Sequence, residues 1–179
     1  MKKISILVIT TLLISSCSSS TQESSLGFVP GCDQIKLLDT ADKSTVMPCL
    51  DGSGSINFHQ LKGPMVINVW GSWCEGCKEE MPYFVDLYQS PAFKTGQIQL
   101  LGVNVEESSR DDAVGFIQQS GMSWPHLEDI TGISKSIFGP GVPVTWFIDS
   151  QGRAIATKIG AYANKQQLFD QVAKVFGVK

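Results

Sequence analysis

The chain predicts an α/β fold in which a central mixed β-sheet is flanked by helices and preceded by an N-terminal extension, and three observations carry that expectation. A β-branched apolar run, Met65-Val66-Ile67-Asn68-Val69-Trp70, follows the Gly63-Pro64 turn and reads as a buried central strand. A helical pattern and then a second apolar run come after it, so the second strand must return parallel to the first. Near the C-terminus, two apolar runs joined by a short polar turn read as an antiparallel hairpin.

The elements follow in order. Residues 74–89 carry helical spacing, with Met81, Phe84, Val85 and Tyr88 three and four apart, and Pro82 inside the pattern predicts a kink. Residues 98–105 read as the second strand. Ser109, with Asp112 three positions on, resembles a helix start, and the helix over 111–119 closes at Gly121. Residues 144–149 and Ala154–Ile159, joined across Ser150-Gln151-Gly152-Arg153, form the hairpin. An amphipathic helix over 164–176 turns Leu168, Val172 and Val175 inward.

Ahead of all this, Lys2 and Lys3 precede an apolar stretch over residues 4–14, well short of the roughly 20 residues of a membrane-spanning helix, so segment 1–16 reads as a signal peptide. Ile14-Ser15-Ser16-Cys17 resembles the lipobox of bacterial lipoproteins, which implies cleavage before Cys17 and lipidation of that residue; an ordinary secretory signal is the alternative. Residues 17–27, rich in Ser, read as a disordered tether with nothing to bury, leaving 28–179 as the working domain on the outer side of the cytoplasmic membrane. The net charge of −3, with scattered lysines and no basic stripe, argues against nucleic acid as a partner.

Cys74-Glu75-Gly76-Cys77 sits between the first strand and its helix. Two cysteines three apart in a first helical turn can close an easily exchanged disulfide, so the expected chemistry is thiol–disulfide exchange. Cys74, at the helix N-terminus with its sulfur exposed, is the expected nucleophile, because free backbone N–H groups and the helix dipole stabilise a thiolate there. Cys77, one turn on and facing inward, is the expected resolving thiol. Of the five cysteines, Cys32 and Cys49 remain; in an oxidising compartment leftover cysteines pair, predicting a structural bond that clips the extension to itself, with a second redox relay as the competing idea. No metal site is expected: a zinc half-site at Cys74 and Cys77 lacks a second Cys-X-X-Cys or paired histidines, and His59 and His126 read as structural.

The block Val69-Trp70-Gly71-Ser72-Trp73-Cys74-Glu75-Gly76-Cys77-Lys78-Glu79-Glu80-Met81-Pro82 resembles the active-site segment of the extracytoplasmic TlpA, ResA and DsbE-like thioredoxins. Gly102-Val103-Asn104-Val105 resembles that family's second strand, and Gly141-Val142-Pro143-Val144-Thr145-Trp146-Phe147-Ile148-Asp149 its cis-proline loop and following strand. The resemblance runs from about Asn57 to the C-terminus and implies a thioredoxin-like fold. It also implies a cis Pro143 opposite the disulfide, with Val142 pairing to the partner's backbone. Trp73 is expected to wall that groove. Thioredoxins proper place an aspartate where Asn68 stands, and Asn68 cannot act as a base; Glu80, three residues past Cys77, resembles the glutamate of ResA-like proteins. In a partly desolvated pocket its pKa would rise toward that of a thiol; otherwise it is a solvated residue like Glu79. Gly76 departs from the proline common at its position.

The resemblance further implies exported protein thiols and disulfides as partners, a membrane thiol carrier if the protein is a reductant, and no bound cofactor. Cytochrome c maturation and disulfide donation to exported proteins both remain open. Copper chaperones of the Sco group share the fold but space their cysteines by three residues and add a distant histidine. A peroxidase would carry a lone cysteine after a threonine, and a non-catalytic lipoprotein would hold a Cys74–Cys77 bond that resists mild reduction.

Overall fold

The computed structural model describes residues 29–40 and 45–178. The expected signal segment, the tether 17–27 and Cys17 lie outside these residues.

Two short strands, β1 (Val46–Pro48) and β2 (Ser55–Asn57), pair antiparallel in the extension. The main sheet comprises β3 (Met65–Trp70), β4 (Gln99–Val105), β5 (His126–Asp129), β6 (Val144–Ile148) and β7 (Ala154–Ile159) in the order β5-β4-β3-β6-β7. β3 pairs parallel with β4 and antiparallel with β6, so Ile67 lies between Leu101 and Trp146. Flanked on both sides, every residue of β3 is buried, which is why its sequence is almost continuously apolar.

Alternation along β3 divides the core. Val66 and Trp70 belong to one cluster with Phe84 and Leu87 of α1 (Glu75–Tyr88), Ile117 of α3 (Arg110–Ser120), and Leu168 and Val172 of α5 (Lys165–Phe176). Met65, Ile67 and Val69 belong to the other, with Leu101, Val103, Leu127 and Phe138. Burying each large apolar side chain contributes about 1.5–3 kcal/mol, so the two layers anchor β3 from both faces.

The expected helices and strands form with small changes of boundary. Cys74 is the N-cap of α1 rather than its first residue. β4 starts at Gln99 because the Ile98 N–H is already committed to Ala92 O (3.0 Å), closing the turn after α2 (Pro91–Lys94). α3 gains Arg110 and Ser120, capped by Ser109 in front and by left-handed Gly121 behind. Pro82 is exposed and α1 runs on through it, so the expected kink does not interrupt the element. Leu87, outside the predicted apolar set, is buried, whereas Val85 and Tyr88 are half-buried.

β1 and β2 of the extension, β5, α2 and α4 have no counterpart in the sequence expectation. β5 is a mixed-polarity run without β-branched residues, and α2 and α4 (Ser134–Phe138) are too short to show a period. β5 would be an open sheet edge, but the extension covers it: Leu50 N–H donates to His126 O (2.9 Å) and Cys49 bridges Leu127. The Cys32–Cys49 disulfide is present, with its Cα atoms 6.1 Å apart. It ties the extension to itself and, through the neighbouring bridge, secures the cover over β5. At Gly102 on β4 a Cβ would stand 1.9 Å from His126 Nδ1, so only glycine lets that buried ring pack against the strand.

Candidate active site

β3 delivers the chain to the turn Gly71–Trp73 with little slack. Ser72 N–H and Oγ–H donate to the two Glu107 carboxylate oxygens (2.6 and 2.7 Å), and Asn104 Nδ2–H donates to Glu107 Oε1 (2.7 Å). One glutamate just beyond β4 therefore holds the loop that aims the cysteines. Cys74 then caps α1, its Sγ accepting the Cys77 N–H at 3.1 Å, which is the contact a thiolate at this position would keep. Cys74 and Cys77 are joined in a disulfide with Cα atoms 5.2 Å apart; Cys77 is fully buried, and Cys74 is nearly so rather than exposed as expected, because its sulfur is bonded to buried Cys77 and accepts that residue's N–H.

One turn along α1, Glu80 is completely buried. Asn68 Nδ2–H donates to its Oε1 and Tyr162 N–H to its Oε2, each at 3.0 Å. Desolvation pushes the carboxyl up to about 7, against the opposing pull of these two hydrogen bonds and of the Lys158 charge. Glu79, its neighbour in sequence, is exposed. A carboxyl that exchanges protons near neutrality beside an inward-facing thiol can take that thiol's proton.

The Val142–Pro143 peptide is cis. Pro143 Cδ and Ala161 Cβ both lie 3.5 Å from where a Cβ would stand on Gly76, so the turn between the cysteines packs directly beneath the cis-proline loop. Trp73 is 51% exposed and its Nε1–H donates to Val105 O (3.3 Å). With Val69, Val105, Phe138, Pro140 and Val142 it lines a small pocket rimmed by the Glu106–Lys135 ion pair.

The residues expected at the site thus come together: Cys74, Cys77, Glu80, Trp73, Val142 and Pro143 surround one end of the sheet. Cys32 and Cys49 do not join them; their bond lies in the cluster on the opposite sheet face. Trp70 is core, donating Nε1–H to His126 Nδ1 (3.3 Å), and burial lowers the His126 pKa to about 3, so the ring stays neutral. His59 contacts Thr45 Oγ1 through Nε2 (3.2 Å) in the extension. Among the described residues, metal-ligating atoms gather at Cys32, Cys49 and Asp51, but both sulfurs are already joined to each other. Sequence reasoning missed Glu107, Tyr162, Lys158 and the holding role of Asn68. No local pattern marks them, because Glu107 and Tyr162 reach residues distant in the chain, Lys158 bears on distant Glu80 through its charge, and Asn68 acts through a side chain discounted for its lack of basicity.

Comparison with known proteins gives this arrangement its family. The AhpC/TSA family model matches residues 39–168. Thiol-disulfide oxidoreductase ResA of Bacillus thuringiensis is 32% identical over 133 residues, 73% of each chain. StoA from Bacillus subtilis superposes with a TM-score of 0.55 at 25% identity, covering 71% of this chain and 94% of that one. A secreted Mycobacterium tuberculosis disulfide oxidoreductase homologous to E. coli DsbE shares the fold with a TM-score of 0.60 at 19% identity, covering 72% and 94%. On the extent of the first two matches, the chain belongs to the AhpC/TSA family with a thioredoxin-like fold, and it is a thiol–disulfide oxidoreductase related to ResA.

Proposed function

We propose that Cys74 and Cys77 are the redox pair of this oxidoreductase and that it serves exported proteins from the outer side of the cytoplasmic membrane, tethered by a lipid on Cys17. In the reducing direction the Cys74 thiolate attacks a partner disulfide; that S–S bond breaks, a mixed disulfide forms and the first partner thiolate leaves. Cys77 then gives its proton to Glu80 and attacks Cys74 Sγ. The second partner thiolate departs, so the partner gains two electrons and the protein closes its own disulfide. Val142 and Pro143 guide the partner's backbone and Trp73 walls the groove.

The observation that carries this reading is the buried Glu80 carboxyl, poised at about 7 one turn beyond Cys77. Charge favours a reductant or a moderate oxidant. Glu75 in the first turn of α1, with Glu79 beyond it, opposes a helix dipole that contributes on the order of 1 kcal/mol, which disfavours a strongly acidic Cys74 and with it a strong oxidant. A membrane thiol carrier then supplies electrons. For a reductant, the proposed substrate is the haem-binding cysteines of a c-type apocytochrome, as the resemblance to extracytoplasmic thioredoxins suggests; an oxidant would donate disulfides to exported proteins instead.

Two measurements test this. Cys77→Ser should trap mixed disulfides through Cys74 with the natural partners, and equal trapping by Cys74→Ser would overturn the assignment of roles. The reduction potential of the pair against glutathione tests the direction: a value near or below roughly −270 mV supports the reductant, and one near roughly −120 mV the oxidant.

A further inference from the structure

The loop between β7 and α5 touches Pro143, Gly76 and Glu80 with three consecutive residues. Gly160 N–H donates to Pro143 O at 2.9 Å. Ala161 packs its methyl over Gly76, between the two cysteines. Tyr162 N–H donates to Glu80 Oε2 at 3.0 Å. Two of these contacts come from backbone amides and one from a methyl group, so all three depend on the path of the loop backbone rather than on side-chain rotamers.

That path is held by one side chain. Lys158 Nζ donates to the carbonyl oxygens of Ile159 (2.9 Å), Gly160 (2.8 Å) and Ala161 (3.1 Å), using all three ammonium donors. The same ammonium stands 5.4 Å from the centroid of the Tyr162 ring. Gly160, at φ +80°, supplies the left-handed bend that turns three successive carbonyls toward one point. Hydrogen bonds from a charged donor are about twice as strong as neutral ones, so this knot outweighs what the short loop could do alone.

We infer that Lys158 is a positioning residue of the exchange site, gathering the loop so that the Tyr162 N–H meets Glu80 and the Gly160 N–H meets Pro143. This rests on the reading of Glu80 as the base for Cys77. The titratable groups facing Glu80 are Lys158 on β7, Tyr162 in the loop and Cys77 on α1, while Asn68 on β3 is polar but does not titrate. The Tyr162 hydroxyl donates to Gln171 Oε1 (2.9 Å), and burial holds its pKa above the ordinary phenol range, so it stays neutral throughout. Lys158 acts on Glu80 twice, through its charge and through the amide it places, and both favour the carboxylate. Removing it therefore moves the Glu80 midpoint upward, leaving less base at neutral pH.

The test is single-turnover oxidation of the reduced full-length chain by oxidised glutathione from about pH 5 to 9, comparing wild type, Lys158→Met, Lys158→Arg, Glu80→Gln and the Glu80→Gln/Lys158→Met double variant. The Tyr162 amide shift is followed by NMR over the same range. Lys158→Met should move the rising limb of the rate up by about half a pH unit, a slowing of about twofold at pH 7 and about threefold at pH 6, and should raise the Tyr162 amide midpoint likewise. Lys158→Arg should restore part of the shift, and the double variant should match Glu80→Gln. A Lys158→Met profile and amide midpoint equal to wild type, with Glu80→Gln displaced, would overturn the role of Lys158 and leave the Glu80 reading standing. A Lys158→Met shift that persists undiminished in the Glu80→Gln background would also overturn it. A Glu80→Gln profile equal to wild type would overturn the Glu80 reading and this inference with it.

Discussion

The two disulfides close loops of different kinds on opposite faces of one sheet. Cys74–Cys77 spans three positions and caps a helix whose first N–H groups are ready to hold a thiolate. Cys32–Cys49 spans seventeen, belongs to no helix start of that kind, and lies where the extension covers the β5 edge. Loop length makes the second the stronger constraint on an unfolded chain, and helix position makes the first the better nucleophile source. Burial does not separate them, since all four cysteines are nearly or fully buried. The surroundings do: a fully buried carboxyl poised at about 7 one turn from Cys77, against apolar packing and the partly exposed Asp51 carboxylate beside Cys32 and Cys49.

The comparison breaks most visibly at the short loop. Cys74→Ser should abolish exchange with a model disulfide, whereas Cys32→Ser/Cys49→Ser should leave the exchange rate near wild type; the reverse pattern would exchange the roles of the two pairs. The long loop should show in stability instead. Cys32→Ser/Cys49→Ser should lose about 3 kcal/mol in urea unfolding, followed with the short-loop disulfide kept oxidised. A loss below about 1 kcal/mol would mean that β-pairing with the β5 edge, not the bond, secures the extension.

Glu80 sharpens the contrast through pH. Its folded-state pKa, about 7, lies above the ordinary 4.5, so between these values the folded protein binds more protons than the unfolded chain. That contribution to stability is present below about pH 4.5 and is lost as pH rises through 7. Relative to Glu80→Gln, wild type should therefore lose on the order of 3 kcal/mol between pH 4.5 and 8, read from paired unfolding curves. A flat difference would mean that Glu80 is not desolvated. In exchange kinetics the same substitution should carry the rising limb to higher pH, because Cys77 must then lose its proton to water.

The smallest expected effect is at the groove. Trp73→Ala should slow exchange with a protein substrate about threefold more than with glutathione, since only the larger partner reaches the indole. Equal slowing of both would make Trp73 a prop for Cys74 instead.

Much of the site is legible in the chain because its chemistry is local. A Cys-X-X-Cys after a β-branched run already specifies a helix cap, an outer and an inner sulfur, and a glutamate on the inner face one turn later. Glu79 and Glu80, adjacent and identical in chemistry, are where that legibility stops. Helical periodicity places Glu80 on the Cys77 face, but only burial makes its pKa useful, and the groups that meet the buried carboxyl, Asn68 on β3 and the Tyr162 N–H, lie 12 and 82 positions away and oppose the upward push of desolvation.

The sequence by itself therefore determined the β3–α1–β4 unit, the C-terminal hairpin and helix, the helix start at the Cys-X-X-Cys and the separation of the two cysteine pairs, all of which rest on spacings of a few residues. Tertiary structure alone decided that β5 joins the sheet, that the extension covers its edge, and that Glu107, Asn68 and the Lys158 loop converge on the cysteines. Those arrangements bring together groups far apart in the chain. Their energy comes from desolvation and backbone hydrogen bonds, which exist only once the sheet has closed around them.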